Sequence, residues 1–281
     1  MISPLAILKK HLKARKNRKR ICNSILDSHP IVLVYQMGKV ASSSVYHSLK
    51  KYPQYCHAFH THILTAEWIK AKATKRSHTL LNPDRRNQNS QDLRRNIIEP
   101  GHPAKIITLV RDPFARSISA FFENSASVHK APAGTVAAMH YLKSAFFAET
   151  NLLHPDYWFE KEFNHALKLN IFDYPFNPEQ GWSRFSKSPY EVLVLSTDLS
   201  DKEKALRVEE FVDIPGFKLE RKNTTPPGGR LELYNSFKAH IRFPEKAIEK
   251  VLNTQYSRHF FDADKRAALR KRWQENKSSG N

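Results

Sequence analysis

Two stretches of the chain are almost continuously apolar. Ile31-Val32-Leu33-Val34-Tyr35 and Lys105-Ile106-Ile107-Thr108-Leu109-Val110 are rich in β-branched residues, the pattern of strands buried on both faces. Glu191-Val192-Leu193-Val194-Leu195 repeats it, and Tyr55 to Ile63 alternates enough to read as a further strand. Between them the apolar positions recur at helical spacing. Helices are predicted over 41–51, 65–76, 91–98, 113–125, 133–149, 157–170 and 201–213, with Asn82 to Ser90 as a polar, turn-rich link. The last third reads mostly helical, at 244–254 and 263–274. Strands separated by helices at this spacing predict an α/β fold, a parallel sheet flanked by helices. In such folds ligands sit at the carboxyl ends of the strands, so the residues just after each strand carry the most information.

The segment after the first strand is Gly38-Lys39-Val40-Ala41-Ser42-Ser43-Ser44. A helix N-terminus there offers unpaired N–H groups and a positive dipole end. Three hydroxyls and Lys39 add further donors, the means by which a protein cradles a phosphate. The spacing is not that of a Walker A loop, whose lysine follows a second glycine. The same serines are also ordinary helix caps. After the third strand comes Arg111-Asp112-Pro113-Phe114-Ala115-Arg116-Ser117-Ile118-Ser119. Pro113 suits the first helical turn. Arg111 and Ser119 suit a second phosphate, although an ordinary Arg–Asp surface pair reads equally well.

Taken together, Lys39-Val40-Ala41-Ser42-Ser43-Ser44 and the Arg111/Ser119 pair resemble the sulfotransferases that use 3′-phosphoadenosine 5′-phosphosulfate (PAPS). Among these the chain is most similar to polysaccharide O-sulfotransferases and to the bacterial capsular polysaccharide synthesis protein family. The resemblance covers roughly residues 30–125 by motif. It implies a P-loop-NTPase-like sheet. It also implies PAPS as donor, adenosine 3′,5′-bisphosphate (PAP) as product, and no metal. Gly38, Lys39, Val40, Ala41, Ser42, Ser43 and Ser44 would hold the 5′-phosphosulfate, with Lys39 neutralising the leaving oxygen. Arg111 and Ser119 would hold the 3′-phosphate. One departure is Gly38, where many relatives carry proline.

The second strand contains His60 and His62, two apart and so on one face. A His-x-His on the corresponding strand carries the base in uronic-acid 2-O-sulfotransferases, which implies His62 as base and His60 beside it in contact with the acceptor. His60 itself and Glu123, one turn beyond Ser119, are the alternative bases. Satisfied core histidines, or a two-histidine metal site lacking a third local ligand, are the competing readings. Arg116 is a candidate acceptor contact. Trp158, Phe159, Phe163, Trp182 and Phe185 are candidate sugar platforms, the first three, at helical spacing, reading alternatively as core. The loop Arg221 to Arg230 either closes over the nucleotide or is plain surface.

Charge refines the picture of the acceptor. Among the 281 residues, 46 Lys and Arg against 27 Asp and Glu give a net charge of +19. Eight of these cations, Lys9, Lys10, Lys13, Arg15, Lys16, Arg18, Lys19 and Arg20, fall in a leader with no acid before Asp27. Residues 1–27 therefore read as a basic leader, and 28–275 as a single domain. The remaining excess steers towards a polyanion, here an acidic glycan acceptor. No nucleic-acid-binding motif accompanies it. Residues 1–20 could associate peripherally with an anionic membrane face, each cation adding at most about 1 kcal/mol. No run reaches the roughly 18 apolar residues of a membrane span. Two cysteines exclude a disulfide scaffold, so the expected location is cytoplasmic, peripheral to the inner membrane. The competing functions are a P-loop kinase-like phosphotransferase and a non-catalytic basic polyanion-binding protein.

Overall fold

The structure is a computed structural model that describes residues 4–75, 85–132, 135–220 and 229–274. Its centre is a sheet of β1 (Ile31–Tyr35), β2 (His57–Thr61), β3 (Ala104–Val110), β4 (Trp182–Lys187) and β5 (Tyr190–Ser196), in the spatial order β2-β1-β3-β5-β4. The first four in that order are parallel, with Leu33 paired to both Phe59 and Ile106, and Ile106 to Val192. Every residue of β1 is buried, as its unbroken apolar run predicts.

Helices fill the connections. They are α1 (Pro4–Leu26), α2 (Ser42–Leu49), α3 (Ala66–Lys75), α4 (Arg85–Leu93), α5 (Pro113–Asn124) and α6 (Thr135–Glu149). Then come α7 (His154–Trp158), α8 (Asn164–Leu167), α9 (Asp201–Val212), α10 (Gly229–His240), α11 (Glu245–Leu252), α12 (Gln255–Phe260) and α13 (Ala263–Trp273). The chain is thus an α/β protein whose last third is helical. One apolar core surrounds the sheet. A second joins α5, α6, α10, α11 and the end of α13 through Phe114, Phe121, Phe146, Phe237, Ile248 and Trp273.

Three features depart from the expectations. The polar stretch through Ser90 is helical from Arg85, because its side chains find partners on other elements: Asn89 accepts from Asn17, and Ser90 bonds Thr61. The antiparallel edge strand β4 has no apolar run to announce it. It pairs with β5 through Trp182↔Leu195 to Lys187↔Tyr190, leaving much of its length exposed. The predicted helix over 157–170 is instead α7, a π-helical turn Phe159–Phe163, and α8.

The basic leader does not stand off from the domain along its whole length. Ile21 and Ser24 are buried at the end of α1. Arg20 lies 4.4 Å over the Phe59 ring and donates to Ala58 O at 2.8 Å, covering part of the exposed edge of β2. Arg15, Lys16, Arg18 and Lys19 face outwards. No helix among the described residues is long and apolar enough to cross a membrane.

Candidate functional site

β1 pairs with β2 on one side and β3 on the other, so the loops after β1 and β3 face each other at the point where the strand order reverses. The loop after β1 is held in an uncommon backbone state. Lys39 (φ 74°) and Ala41 (φ 59°) both adopt left-handed conformations, which cost a non-glycine residue roughly 1–2 kcal/mol each. Val40 between them is fully buried and anchors the turn in the core. Ordinary and left-handed residues in alternation are the backbone pattern of anion-binding concavities. Strain of this kind persists only where surrounding contacts impose it. Gly38 is needed neither for conformational freedom, since its φ is not positive, nor for space, since a side chain there would meet nothing within 4 Å.

The surrounding contacts come from the segment after β3. Arg111 Nη1 donates to Lys39 O at 2.8 Å and to Ser119 Oγ at 3.3 Å. Arg116 Nε donates to Gly38 O at 3.1 Å. Asp112 caps α5, accepting from Phe114 N, Ala115 N and, at 2.8 Å, Trp273 Nε1. Lys39, Arg111 and Ser119, read from separate motifs, are therefore brought together. Arg116 is not where an acceptor contact requires it. It is 7% exposed, and burial lowers its guanidinium pKa to about 10, with the neighbouring Arg111 adding to the shift. Its visible work is to hold the loop carbonyl.

Arg111 is itself held by a residue that no local pattern announced. Tyr256 OH accepts from Arg111 N at 2.9 Å and donates to Arg111 O at 2.7 Å, while its own backbone N–H donates to Asp156 at 2.8 Å. Tyr256 is buried. Removing the hydroxyl leaves both backbone groups of the half-buried Arg111 short of a partner, a loss worth about 1–3 kcal/mol in all where water can reach them in part. Tyr256→Phe is expected to destabilise the protein by about 1–3 kcal/mol in urea unfolding. Tyr234, on α10, is a second unannounced contributor, its hydroxyl 3.1 Å from Ser119 Oγ.

Lys39 Nζ is ion-paired with Glu123 across the gap between the loop and α5, both side chains partly exposed. An exposed pair of this kind contributes little to stability, so an arriving anion can take the lysine at small cost.

On the other flank of the loop lie the two histidines. Their rings are 4.7 Å apart, edge to face, although β2 ends at Thr61 rather than Ile63 and leaves His62 in the bend that follows it. His60 stacks on Tyr46 and lies 3.3 Å from both Gln36 Nε2 and Ser42 Oγ. Burial, reinforced by His62 and His47, pushes its pKa down to about 3, so it is neutral at ordinary pH. His62 Nδ1 donates to Gln36 O at 2.9 Å. A carbonyl can only accept, so the proton of the neutral ring is on Nδ1 and the basic lone pair on Nε2. Trp158 Nε1 holds the His62 carbonyl at 2.9 Å.

Ser42, expected with Ser43 and Ser44 to meet a phosphate, is buried and accepts from Gln36 Nε2. Ser43 and Ser44 are half-buried in the first turn of α2. Gln36 Oε1 is buried with no donor among the described residues.

The segment carrying His62 rests on Glu162, in the π-helical turn. Its carboxylate is fully buried and accepts from Tyr35 OH at 2.7 Å, Thr65 N at 3.1 Å, Leu64 N and Thr65 Oγ1. It thus ties the end of β1 to the chain just beyond β2. Such π-turns recur at functional sites. Trp158, Phe159 and Phe163 are core residues, resolving their double reading. Trp182 and Phe185 lie on β4, at the sheet edge farthest from His62. Residues 221–228 of the Arg221–Arg230 loop lie outside the described residues. Among the described residues His60 and His62 gain no third histidine, cysteine or carboxylate at metal-ligand distance. No protein family, curated protein or solved structure matches the chain in comparison.

Proposed function

We propose that the protein is a sulfotransferase that moves a sulfuryl group from PAPS to a hydroxyl of a glycan, an acidic capsular or other cell-surface polysaccharide, on a P-loop-like scaffold. The observation that carries this reading is the contact of Arg111 with both Lys39 O and Ser119. Two anion-binding groups from separate strands meet at one loop, as a ligand with two separated phosphates requires. The residues fit such a ligand. Arg111 has further N–H donors with no protein acceptor among the described residues, enough for a bidentate phosphate contact.

The donor supplies an activated sulfuryl group and a phosphate leaving group. Arg111 and Ser119 bind its 3′-phosphate, and Ser43, Ser44 and the N–H groups of the strained loop bind the 5′-phosphate. Lys39, leaving Glu123, neutralises charge on the oxygen that departs. His62 Nε2 takes the proton of the acceptor hydroxyl as the new O–S bond forms and the old one breaks. His60, with a pKa near 3, is too weak a base for that step at neutral pH, and Glu123, paired with Lys39 until the donor arrives, is the alternative base. Catalysis is then chiefly positioning and charge neutralisation. The outward cations of α1 serve as a peripheral anchor on an acidic surface.

Incubation with radiolabelled PAPS and a panel of uronic-acid and neutral polysaccharides tests the reading. Label is expected in an acidic glycan without added Mg²⁺. Phosphate transfer from ATP–Mg²⁺ with no sulfate transfer would replace it with the kinase-like alternative.

A further inference from the structure

A second cluster of chemically capable side chains lies at the opposite end of the sheet. Asp27 follows α1, His29 precedes β1, and His57 opens β2. Asp27 Oδ1 is 2.7 Å from His29 Nδ1, and its Oδ2 is 2.8 Å from His57 Nε2. All three ligand atoms lie within 4.8 Å of one another. Backbone contacts hold them there: His57 N donates to Pro30 O at 3.0 Å, His29 N to Asp27 Oδ1 at 3.2 Å, and His57 is registered against Ile31. β1 and β2 both run away from this point, which puts the loop after β1 about 16 Å off. The proposed transfer reaction uses none of these residues.

We propose that Asp27, His29 and His57 form a site for one divalent transition-metal ion of the zinc class. Two imidazoles and one carboxylate are the donor set such ions favour, whereas Mg²⁺ and Ca²⁺ favour oxygen alone. Ligands on a tetrahedral ion at about 2.0–2.1 Å stand about 3.3 Å apart, so Asp27 withdraws from each ring by about half an ångström to admit it. Asp27 has the freedom to do so and the site has an entry path, since its side chain is 38% exposed and that of His29 40%. Three protein ligands leave a position for water. Because Asp27 and His29 follow the leader helix and His57 begins a strand, the bound ion ties the leader to the sheet.

Cobalt(II) titration of the full-length chain, stripped with a chelator, is the test. One equivalent is expected to bind with the intense visible absorption of a tetrahedral site and to be displaced by Zn²⁺. Zn²⁺ is expected to raise the thermal midpoint, and Mg²⁺ to leave it unchanged. Asp27→Asn and His57→Ala are each expected to lower affinity at least about tenfold. Asp27→Asn changes an exposed loop residue, so it reports even if His57→Ala fails to fold. No cobalt binding, or undiminished binding by Asp27→Asn, would show a purely hydrogen-bonded triad and overturn the proposal. An equal response to Mg²⁺ would overturn its metal class.

Discussion

His62→Ala is expected to lower turnover of the sulfuryl transfer by about 10²–10⁴-fold, the usual contribution of a positioned general base. Affinity for PAP is expected to stay within a factor of about two, equivalent to about 0.4 kcal/mol, because the contacts that place the anion-binding residues come from elsewhere. The separation follows from the contacts. His62 Nδ1–H bonds the Gln36 carbonyl, and Gln36 is held independently through its own N–H to Thr61 O. Lys39, Arg111 and Ser119 are organised on the other flank by Tyr256 and α5. Paired steady-state kinetics and PAP calorimetry check it. Unchanged turnover would move the base to Glu123. Lost PAP binding would mean that the histidine supports the loop rather than the proton transfer.

Glu162→Ala is expected to destabilise the protein by about 3–5 kcal/mol, read as a fall in the urea midpoint at unchanged slope. The carboxylate is fully buried and accepts from Tyr35 OH, Leu64 N, Thr65 N and Thr65 Oγ1. Truncation strands all four donors in a site water does not reach, and each unmet donor costs about 1–3 kcal/mol before relaxation. Burial and the adjacent carboxylate also hold the Tyr35 hydroxyl pKa far above its usual value, so that hydroxyl remains a donor at any working pH. Glu162→Gln keeps the shape but turns an NH₂ towards donors, and is expected to lose an intermediate amount. A loss below about 1 kcal/mol for the alanine variant would mean that the neighbours re-pair and the hub is dispensable.

What could be read along the chain was local. The apolar runs of β1, β3 and β5 announce buried strands, and the donors that follow β1 and β3 lie within a few residues of each strand's end. His60 and His62 come together as their two-residue spacing suggests, although only His60 lies within β2. The supports of the site were hidden because they act across the fold. Tyr256 lies 145 residues from Arg111, and Glu162 127 from Tyr35. Neither sits in a motif, and a buried Glu in a helical segment looks in sequence like any solvated one. Arg116 misled for the same reason, since its burial is imposed by packing against the loop and Tyr256. β4 escaped because an exposed edge strand needs no apolar run, and α4 because its polar side chains are satisfied by α1 and β2.

Calorimetric titration with PAP, against AMP and ATP–Mg²⁺ as controls, on the wild type and Arg111→Ala, decides whether the loop after β1 and Arg111 form a site for two phosphates. PAP is expected to bind, AMP to bind much more weakly for want of the second phosphate, and Arg111→Ala to lose about 10–100-fold, the worth of hydrogen bonds from a guanidinium to a phosphate. Preference for ATP–Mg²⁺, or PAP binding that Arg111→Ala leaves intact, would contradict that assignment.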